Sequence, residues 1–375
     1  MANLNKSQTE AISASLLKMR CNHKSSVQLI QGPPGTGKTK TVSILIYVLL
    51  KMNCRTLSCA PTNVAVVELA SRVVKLIKET VNDDPFFSFG DILLFGNKDR
   101  LKIGSDIEDI YLEYRVQRLV ECLGPFTGWK SCLTSMINLL EDCVSRYQIF
   151  VENKMIKAKE LSNEDEVDVK KLEFDSFLEF FRARFKSTAS SIRRCIFTFC
   201  THLPKSYIQE SNYQNMVILI DLLDSFEEML FKDNTVSEEL EEIFSIKETD
   251  SYESFVEASS SLVYIRSKSL SVLRTLRRSL EGIKLPSVLN KRSIMEFCFQ
   301  RASLIFCTVS SSYKLHSVEM EPLNLLLIDE AAQLKECEST IPLQLLGMKH
   351  AILVGDECQL PAMVASNVSQ RNFII

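Results

Sequence analysis

The sequence predicts an α/β fold, a parallel sheet covered by helices and interrupted by a large, mainly helical insertion. Three observations predict it. The octapeptide Gly32-Pro33-Pro34-Gly35-Thr36-Gly37-Lys38-Thr39 fits the phosphate-loop pattern G-x-x-x-x-G-K-[ST] in full and sits between a strand pattern and a helix pattern. Short apolar runs alternate with helical stretches before residue 105 and again after Arg301. Between them the apolar spacing is helical almost throughout. One sheet domain is therefore expected over residues 1–105 and 296–375, with the helical insertion over 106–295.

The elements follow in order. Ser26 to Gln31 reads as a strand leading into the phosphate loop, and Lys40 to Leu50 as a buried helix leaving it. Arg55 to Ala60 is a second strand, broken by Pro61. Val64 to Lys78 carries Val67, Ala70, Val74 and Ile77 along one helical face. Asp91 to Phe95 is a short apolar strand ended by Gly96. Within the insertion, Tyr111 to Val120 and Met216 to Phe231 are amphipathic helices, and Thr235 with Glu238 spells a capping box. Leu161 to Lys171 reads as a solvated charged loop. Ser303 to Cys307, Leu323 to Ile328 and Ala351 to Val354 restore the strand rhythm. Such runs, with helices between them, belong to a parallel sheet covered on both faces.

Composition narrows the function classes. At 46% hydrophobic and 24% charged residues, the chain can bury a core, which argues against global disorder. A net charge of −3 leaves room for local nucleic-acid contacts but indicates no broad basic footprint. Twelve cysteines occur without a C-x-x-C pair, and Cys195, Cys200 and His202 lack zinc-site spacing, so buried or free thiols in a reducing compartment are expected. The polar start Met1 to Lys6 does not read as a signal peptide, and no apolar run approaches the roughly 20 residues that span a bilayer. A soluble, intracellular protein without a membrane partner is the expectation. Trp129, the single tryptophan, is expected as a core anchor rather than a base-stacking residue.

The chemistry-bearing residues cluster in two places. Gly32, Pro33, Pro34, Gly35, Thr36 and Gly37 form a loop whose backbone N–H groups can close on phosphate oxygens, with the following helix N-terminus aimed at the anion. Lys38 is placed to reach the β- and γ-phosphates and Thr39 to hold Mg²⁺. Leu325 to Ile328 ends in Asp329-Glu330, two carboxylates at the carboxyl edge of the sheet, where ligands of open α/β sheets bind. Asp329 is thereby a candidate for Mg²⁺ and Glu330 for orienting and deprotonating an attacking water. Gln359, after Gly355-Asp356, places an amide at the same edge, where it can report the γ-phosphate.

These blocks, in this order, resemble the first motor domain of superfamily 1B helicases, the group containing senataxin and the nonsense-mediated-decay RNA helicase. Leu4 to Ile12 resembles the Q motif, which implies that Gln8 reads the adenine edge. Gly32 to Thr39 resembles motif I and Ala60-Pro61-Thr62-Asn63 motif Ia, a grip on the nucleic-acid backbone. Phe306 to Ser310 resembles motif Ic, which puts Thr308 on the nucleic-acid path. Asp329-Glu330-Ala331-Ala332-Gln333 resembles motif II, and Gly355-Asp356 with Gln359-Leu360-Pro361 motif III, which adds Asp356 to the nucleotide site. Leu94 to Lys98 is worded like senataxin-like paralogues of plants.

The resemblance implies a RecA-like P-loop NTPase fold, ATP and Mg²⁺ as cofactors, single-stranded RNA or DNA as partner, 5′ to 3′ polarity and a nuclear or cytoplasmic location, the nucleus favoured. The helical insertion is expected to offer a surface to protein partners. The family also carries a β-barrel before the Q motif and a second RecA-like domain after motif III, which supplies arginine fingers. Only fourteen residues follow Pro361, so the expectation for the chain as given is a truncated motor that binds nucleotide, hydrolyses it slowly and does not unwind. The alternatives are a nucleotide-binding interaction module descended from a helicase, and a nucleotide switch unrelated to nucleic acid, for which the Ala60 to Asn63 block has no use.

Overall fold

The structure is a computed structural model, and it describes residues 4–20, 24–80, 88–161, 175–232, 236–245, 257–286 and 290–358. Thr235 of the expected capping box, most of the Leu161 to Lys171 stretch, and Gln359, Leu360 and Pro361 lie outside the described residues.

Six strands form one sheet: β1 (Ser26–Gln31), β2 (Thr56–Ala60), β3 (Ile92–Leu94), β4 (Leu304–Thr308), β5 (Leu325–Ile328) and β6 (His350–Gly355), in the order β1-β6-β5-β2-β4-β3. Every pairing is parallel. All carboxyl ends therefore lie on one edge. β2, β4 and β5 are buried at every residue, as strands covered on both faces must be. That double burial is why Leu325-Leu326-Leu327-Ile328 and Leu304-Ile305-Phe306-Cys307 are continuous apolar runs rather than alternating ones.

The helices that cover the sheet are α1 (Lys6–Met19), α2 (Lys38–Lys51) and α3 (Asn63–Thr80), followed by the short α4 (Lys98–Leu101) and by α5 (Leu112–Leu123). α2 buries Val42, Leu45, Ile46 and Leu49. α3 buries Val66, Leu69, Ala70, Val73, Val74 and Ile77. Val67, expected on the buried face, is only partly buried at its margin. The true stripe is centred on Ala70, and the a/d-like positions 66, 69, 73 and 77 carry it.

The remaining helices are α6 (Trp129–Glu141), α7 (Cys143–Leu161), α8 (Phe177–His202), α9 (Glu210–Leu230), α10 (Ser237–Ser245), α11 (Glu257–Glu281), α12 (Lys291–Arg301) and α13 (Glu336–Leu343). The chain divides into two compact units: the sheet unit, Met1–Val120 with Cys200–Lys205 and Pro286–Ile375, and a helical unit, Glu121–Phe199 with Ser206–Leu285. These borders differ from the expected 105/106 and 295/296. The reason is local packing. Ile107, Ile110 and Tyr111 join the core beneath the sheet. Arg115 of α5 is 1% exposed and donates to the carbonyls of Phe89, Gly90, Ile92 and Asp109 at 2.6–3.2 Å, tying the β3 approach to α5. Phe89 N–H donates to the Thr201 carbonyl at 2.8 Å, which draws 200–205 into the same unit. A side chain at Gly90 would stand 2.2 Å from the Leu203 carbonyl carbon, so only glycine permits this approach.

The helical unit has an aromatic centre. Phe181 packs on Phe185, Phe226 and Phe244 with ring centroids 4.7–6.1 Å apart. Buried Arg266 donates to the carbonyls of Leu140 at 2.8 Å and Ile243 at 3.2 Å. Trp129 is 4% exposed and meets Phe199 edge-on at 5.9 Å, a core anchor as expected. Among the described residues no cluster of three His, Cys, Asp or Glu could hold a metal ion, and no helix is long and apolar enough to cross a membrane.

Candidate nucleotide site at the sheet edge

β1 delivers the chain to the phosphate loop, and the loop is pinned on both sides. Gly32 N–H donates to the Gly355 carbonyl at 3.3 Å, fastening the loop to the end of β6. The Pro33 carbonyl accepts from the Thr36 hydroxyl at 2.8 Å, and Pro34 sits at the outside of the turn that this bond closes. Gly35 and Gly37 hold left-handed torsions, φ +77° and +84°. At Gly37 a side chain would in addition stand 2.7 Å from Nε2 of Gln8. α2 then begins at Lys38 with no side-chain cap, so its first-turn N–H groups and its positive dipole end face the loop. Lys38 Nζ donates to the loop's own carbonyls, Gly32 at 2.6 Å and Pro33 at 3.2 Å. Thr39 is the second residue of α2, half-buried at the loop.

Gln8 locks α1 to this loop. Its Oε1 accepts from Asn5 N–H at 3.0 Å, closing a capping box, and its Nε2 donates to the Thr36 carbonyl at 2.9 Å. An amide has two N–H hydrogens and two oxygen lone pairs, so one of each remains for a ligand.

β5 delivers Asp329 and Glu330. Asp329 is 3% exposed, and its backbone N–H donates to the Cys59 carbonyl at 2.9 Å. Burial first, and the charge of Glu330 second, raise its carboxyl to about 6, while the positive charge of Lys38 pulls the other way. The phosphate loop and the Asp-Glu pair thus share one electrostatic site. Glu68 of α3 adds to the negative field at Asp329, a contribution for which the sequence held no signal. Glu330 stands at φ +55°, ψ +37°, a left-handed conformation that costs roughly 1–2 kcal/mol for a residue with a Cβ. Its N–H donates to Asp329 Oδ1 at 3.0 Å, and its Oε2 accepts from Gln333 Nε2 at 3.3 Å. Backbone strain of this kind clusters at functional sites, which makes this strand end a candidate. Asp356, 5% exposed after β6, accepts Cys358 N–H at 3.0 Å through Oδ1, and Gln31 at the end of β1 donates to Glu357.

A second group of residues lies where β2 and β4 end side by side, Ala60 opposite Thr308. Pro61 is half-exposed. Thr62 is exposed and caps α3, its Oγ1 accepting Ala65 N–H at 3.2 Å. Asn63 opens the helix. Thr308 is buried, and its hydroxyl bonds within its own turn, to Ser311 Oγ at 2.7 Å and Ser311 N–H at 3.2 Å. The outward groups at this edge include Val64, 75% exposed, and Tyr313, 60% exposed, neither of which the motif pattern singled out.

The residues fit a magnesium nucleotide. Glycines at Gly35 and Gly37 shape a cradle at a helix N-terminus, and a hydroxyl with a buried carboxylate is an all-oxygen donor set of the kind Mg²⁺ takes. Fold and site together define a P-loop mononucleotide-binding domain of the α/β class. The profile of the AAA domain family matches residues 3–367, and the chain belongs to that family. Its similarities place it among the superfamily 1 helicase motor domains. It is 46% identical over 77 residues to the ATP-dependent helicase upf1 of Schizosaccharomyces pombe, across 19% of this chain and 8% of the relative. It is 33% identical over 137 residues to the probable helicase senataxin of Homo sapiens, across 31% of this chain and 5% of the relative. It is 41% identical over 76 residues to the DNA-binding protein SMUBP-2 of Rattus norvegicus, across 20% of this chain and 7% of the relative. The matched segments are thus a small part of each of these relatives.

Proposed function

We propose that this chain binds Mg·ATP and forms the nucleotide-hydrolysing half of a helicase motor that works on single-stranded RNA or DNA. One observation carries the reading: the phosphate loop after β1 and the buried Asp329 after β5 lie at the carboxyl edge of one parallel sheet, with only β6 between their strands. Lys38 exchanges its loop carbonyls for the β- and γ-phosphates. The backbone N–H groups of Gly35, Gly37, Lys38 and Thr39 hold the phosphate chain, Gln8 contacts the adenine edge, and Thr39 with Asp329 would hold Mg²⁺. When bound, the metal neutralises charge that builds on the phosphoryl oxygens. Glu330 accepts a proton from the water that attacks the γ-phosphorus, and ADP leaves. Asp356, and Gln359 beyond the described residues, complete the γ-phosphate side. Pro61, Thr62 and Asn63, with the Thr308 turn, grip the phosphate–sugar backbone without reading bases.

The described residues contain one parallel sheet and one phosphate loop. A motor of the resembled family needs two such domains that close and open on nucleotide. The 375-residue polypeptide is therefore proposed to bind ATP through this one unit. The test is titration of a fluorescent ATP analogue with Mg²⁺ against wild type and Lys38→Ala. A loss of at least about tenfold in affinity is expected. Equal affinity with both proteins folded would overturn the reading. Nucleotide binding without any nucleic-acid binding would instead favour an interaction module.

A further inference from the structure

One open groove lies within the helical unit, and none of its lining residues belongs to the nucleotide site. It encloses about 810 Å³ and runs between α6, α7 and α8. Its walls follow helical stripes. α7 contributes Arg146, Ile149, Phe150 and Asn153, and α8 contributes Phe180, Arg184 and Thr188. Positions 145 to 153 along α7 span roughly 12 Å at about 1.5 Å per residue, a little over two helical turns. The floor is apolar and aromatic. Phe150 and Phe180 lie 4.9 Å apart between ring centroids, and Ile149 is 56% exposed. The rim is basic. The Arg184 guanidinium rests over the Phe180 ring at 5.7 Å, and Arg146 is exposed one turn before Phe150. Among the described residues neither arginine lies within ion-pair distance of a carboxylate, whereas the half-buried Lys154 nearby is paired with Asp175 at 3.1 Å. A single acid, Asp142, marks one end of the groove.

We infer that this groove is a docking site for an acidic amphipathic helix of a partner protein. The groove is bounded only by helices and offers no strand edge, so an extended peptide finds no backbone pairing there. A helix laid along it packs as one more member of the bundle, its apolar residues at i, i+4 and i+7 entering over Ile149, Phe150 and Phe180. Carboxylates beside those anchors meet Arg146 and Arg184, and Asp142 disfavours an acid at its end, which sets the direction of the bound helix. Nucleic acid is a poorer match. Two guanidinium groups over an apolar floor, with a carboxylate at one end, neutralise little phosphate charge.

The experiment uses the full 375-residue protein. A phage-displayed library of helix-forming peptides, about 18 residues long, is panned against it and the strongest binder is synthesised with a fluorophore. The expected consensus has Leu or Phe at i, i+4 and i+7 with Glu or Asp beside them. Its affinity should fall at least about tenfold for the double variant Arg146→Glu, Arg184→Glu, while the melting temperature and ATP-analogue binding stay at wild-type values. Should that variant fail to fold, Arg146→Gln with Arg184→Gln should still weaken binding and flatten its salt dependence. Absence of any consensus, a basic consensus, or binding indifferent to both variants would overturn the proposal. So would a labelled single-stranded RNA that loses affinity on the double variant while the peptide does not, which would assign the groove to nucleic acid. The ATP-binding reading is tested with Lys38→Ala, and neither result depends on the other.

Discussion

Asp329→Asn should make the protein more stable and less useful at once. In the native fold this carboxyl is nearly fully buried, and it is raised from 3.8 to about 6 by burial and by the charge of Glu330. A raised carboxyl binds its proton more tightly in the native state than in the unfolded chain. Its contribution to stability is therefore fully present below about 3.8 and is lost as pH rises through about 6. The gap corresponds to a penalty of ~3 kcal/mol above pH 6, at about 1.36 kcal/mol per pH unit. Asparagine does not titrate, so the variant escapes the penalty. It should gain roughly 1–3 kcal/mol at pH 8, several degrees in melting temperature for a unit of this size, and nothing below pH 4. The assay is urea or thermal unfolding from pH 3.5 to 8 without Mg²⁺ and nucleotide. Adding Mg·ATP should stabilise wild type and leave the variant almost unmoved, because the proposed ligand for the metal is gone. A difference that did not vary with pH, or that grew toward acid, would refute the reasoning.

Other outcomes follow from the same geometry. Glu330→Gln should leave ATP-analogue affinity within about threefold and reduce single-turnover hydrolysis by at least about 10²-fold, as removal of a general base does; unchanged turnover would release Glu330 from that role. The double change Thr62→Ala, Asn63→Ala should weaken single-strand binding by a similar factor for unrelated sequences, and fluorescence anisotropy with two such sequences checks it. Thr62→Ala should also cost about 1 kcal/mol of stability, since its hydroxyl caps α3. Arg115→Met should lower stability by ~3 kcal/mol in urea unfolding, because four backbone carbonyls lose one buried donor group; a change below about 1 kcal/mol would show that solvent replaces it.

The sheet was legible because its strands state their own environment. Four consecutive apolar residues before Asp329, in a βα rhythm, read as a strand covered on both faces, and the glycines of the phosphate loop name a backbone that few other residues adopt. The same reasoning located Lys38, Thr39, Asp329 and Glu330 at one edge, because parallel strands share their carboxyl ends. Contacts between segments distant in sequence left no such trace. Nothing in the spelling of Thr201 or Leu203 says that their carbonyls receive Phe89 and Ser88, and this pairing is what moved the unit border. Arg115 looked like a polar residue on an amphipathic helix, yet it is buried, since four carbonyl acceptors can hold a guanidinium where water cannot reach. Glu68 falls on the polar face of α3 by periodicity, yet its charge bears on Asp329 across the two elements.

The same distinction explains the two parts of the nucleotide site. Motif residues such as Lys38 and Asp329 meet because each follows a strand, so the fold's topology suffices to join them. Gln8 reaches the loop by a different route. It lies at N3 of α1, where the capping box with Asn5 fixes its side chain. From there Nε2 reaches the Thr36 carbonyl, 28 residues away in sequence, and fills the space that a side chain at Gly37 would need. The helix cap and the loop glycine are thus one device: the cap aims the amide, and the absent Cβ admits it. Loss of either partner should loosen the N-terminal end of α1 from the loop before it disturbs the sheet, since α1 places only Ile12 in a core that α2, α3 and the strands dominate. The nucleotide site is held at two depths, a rigid edge set by strand order and an adjustable flank set by one amide.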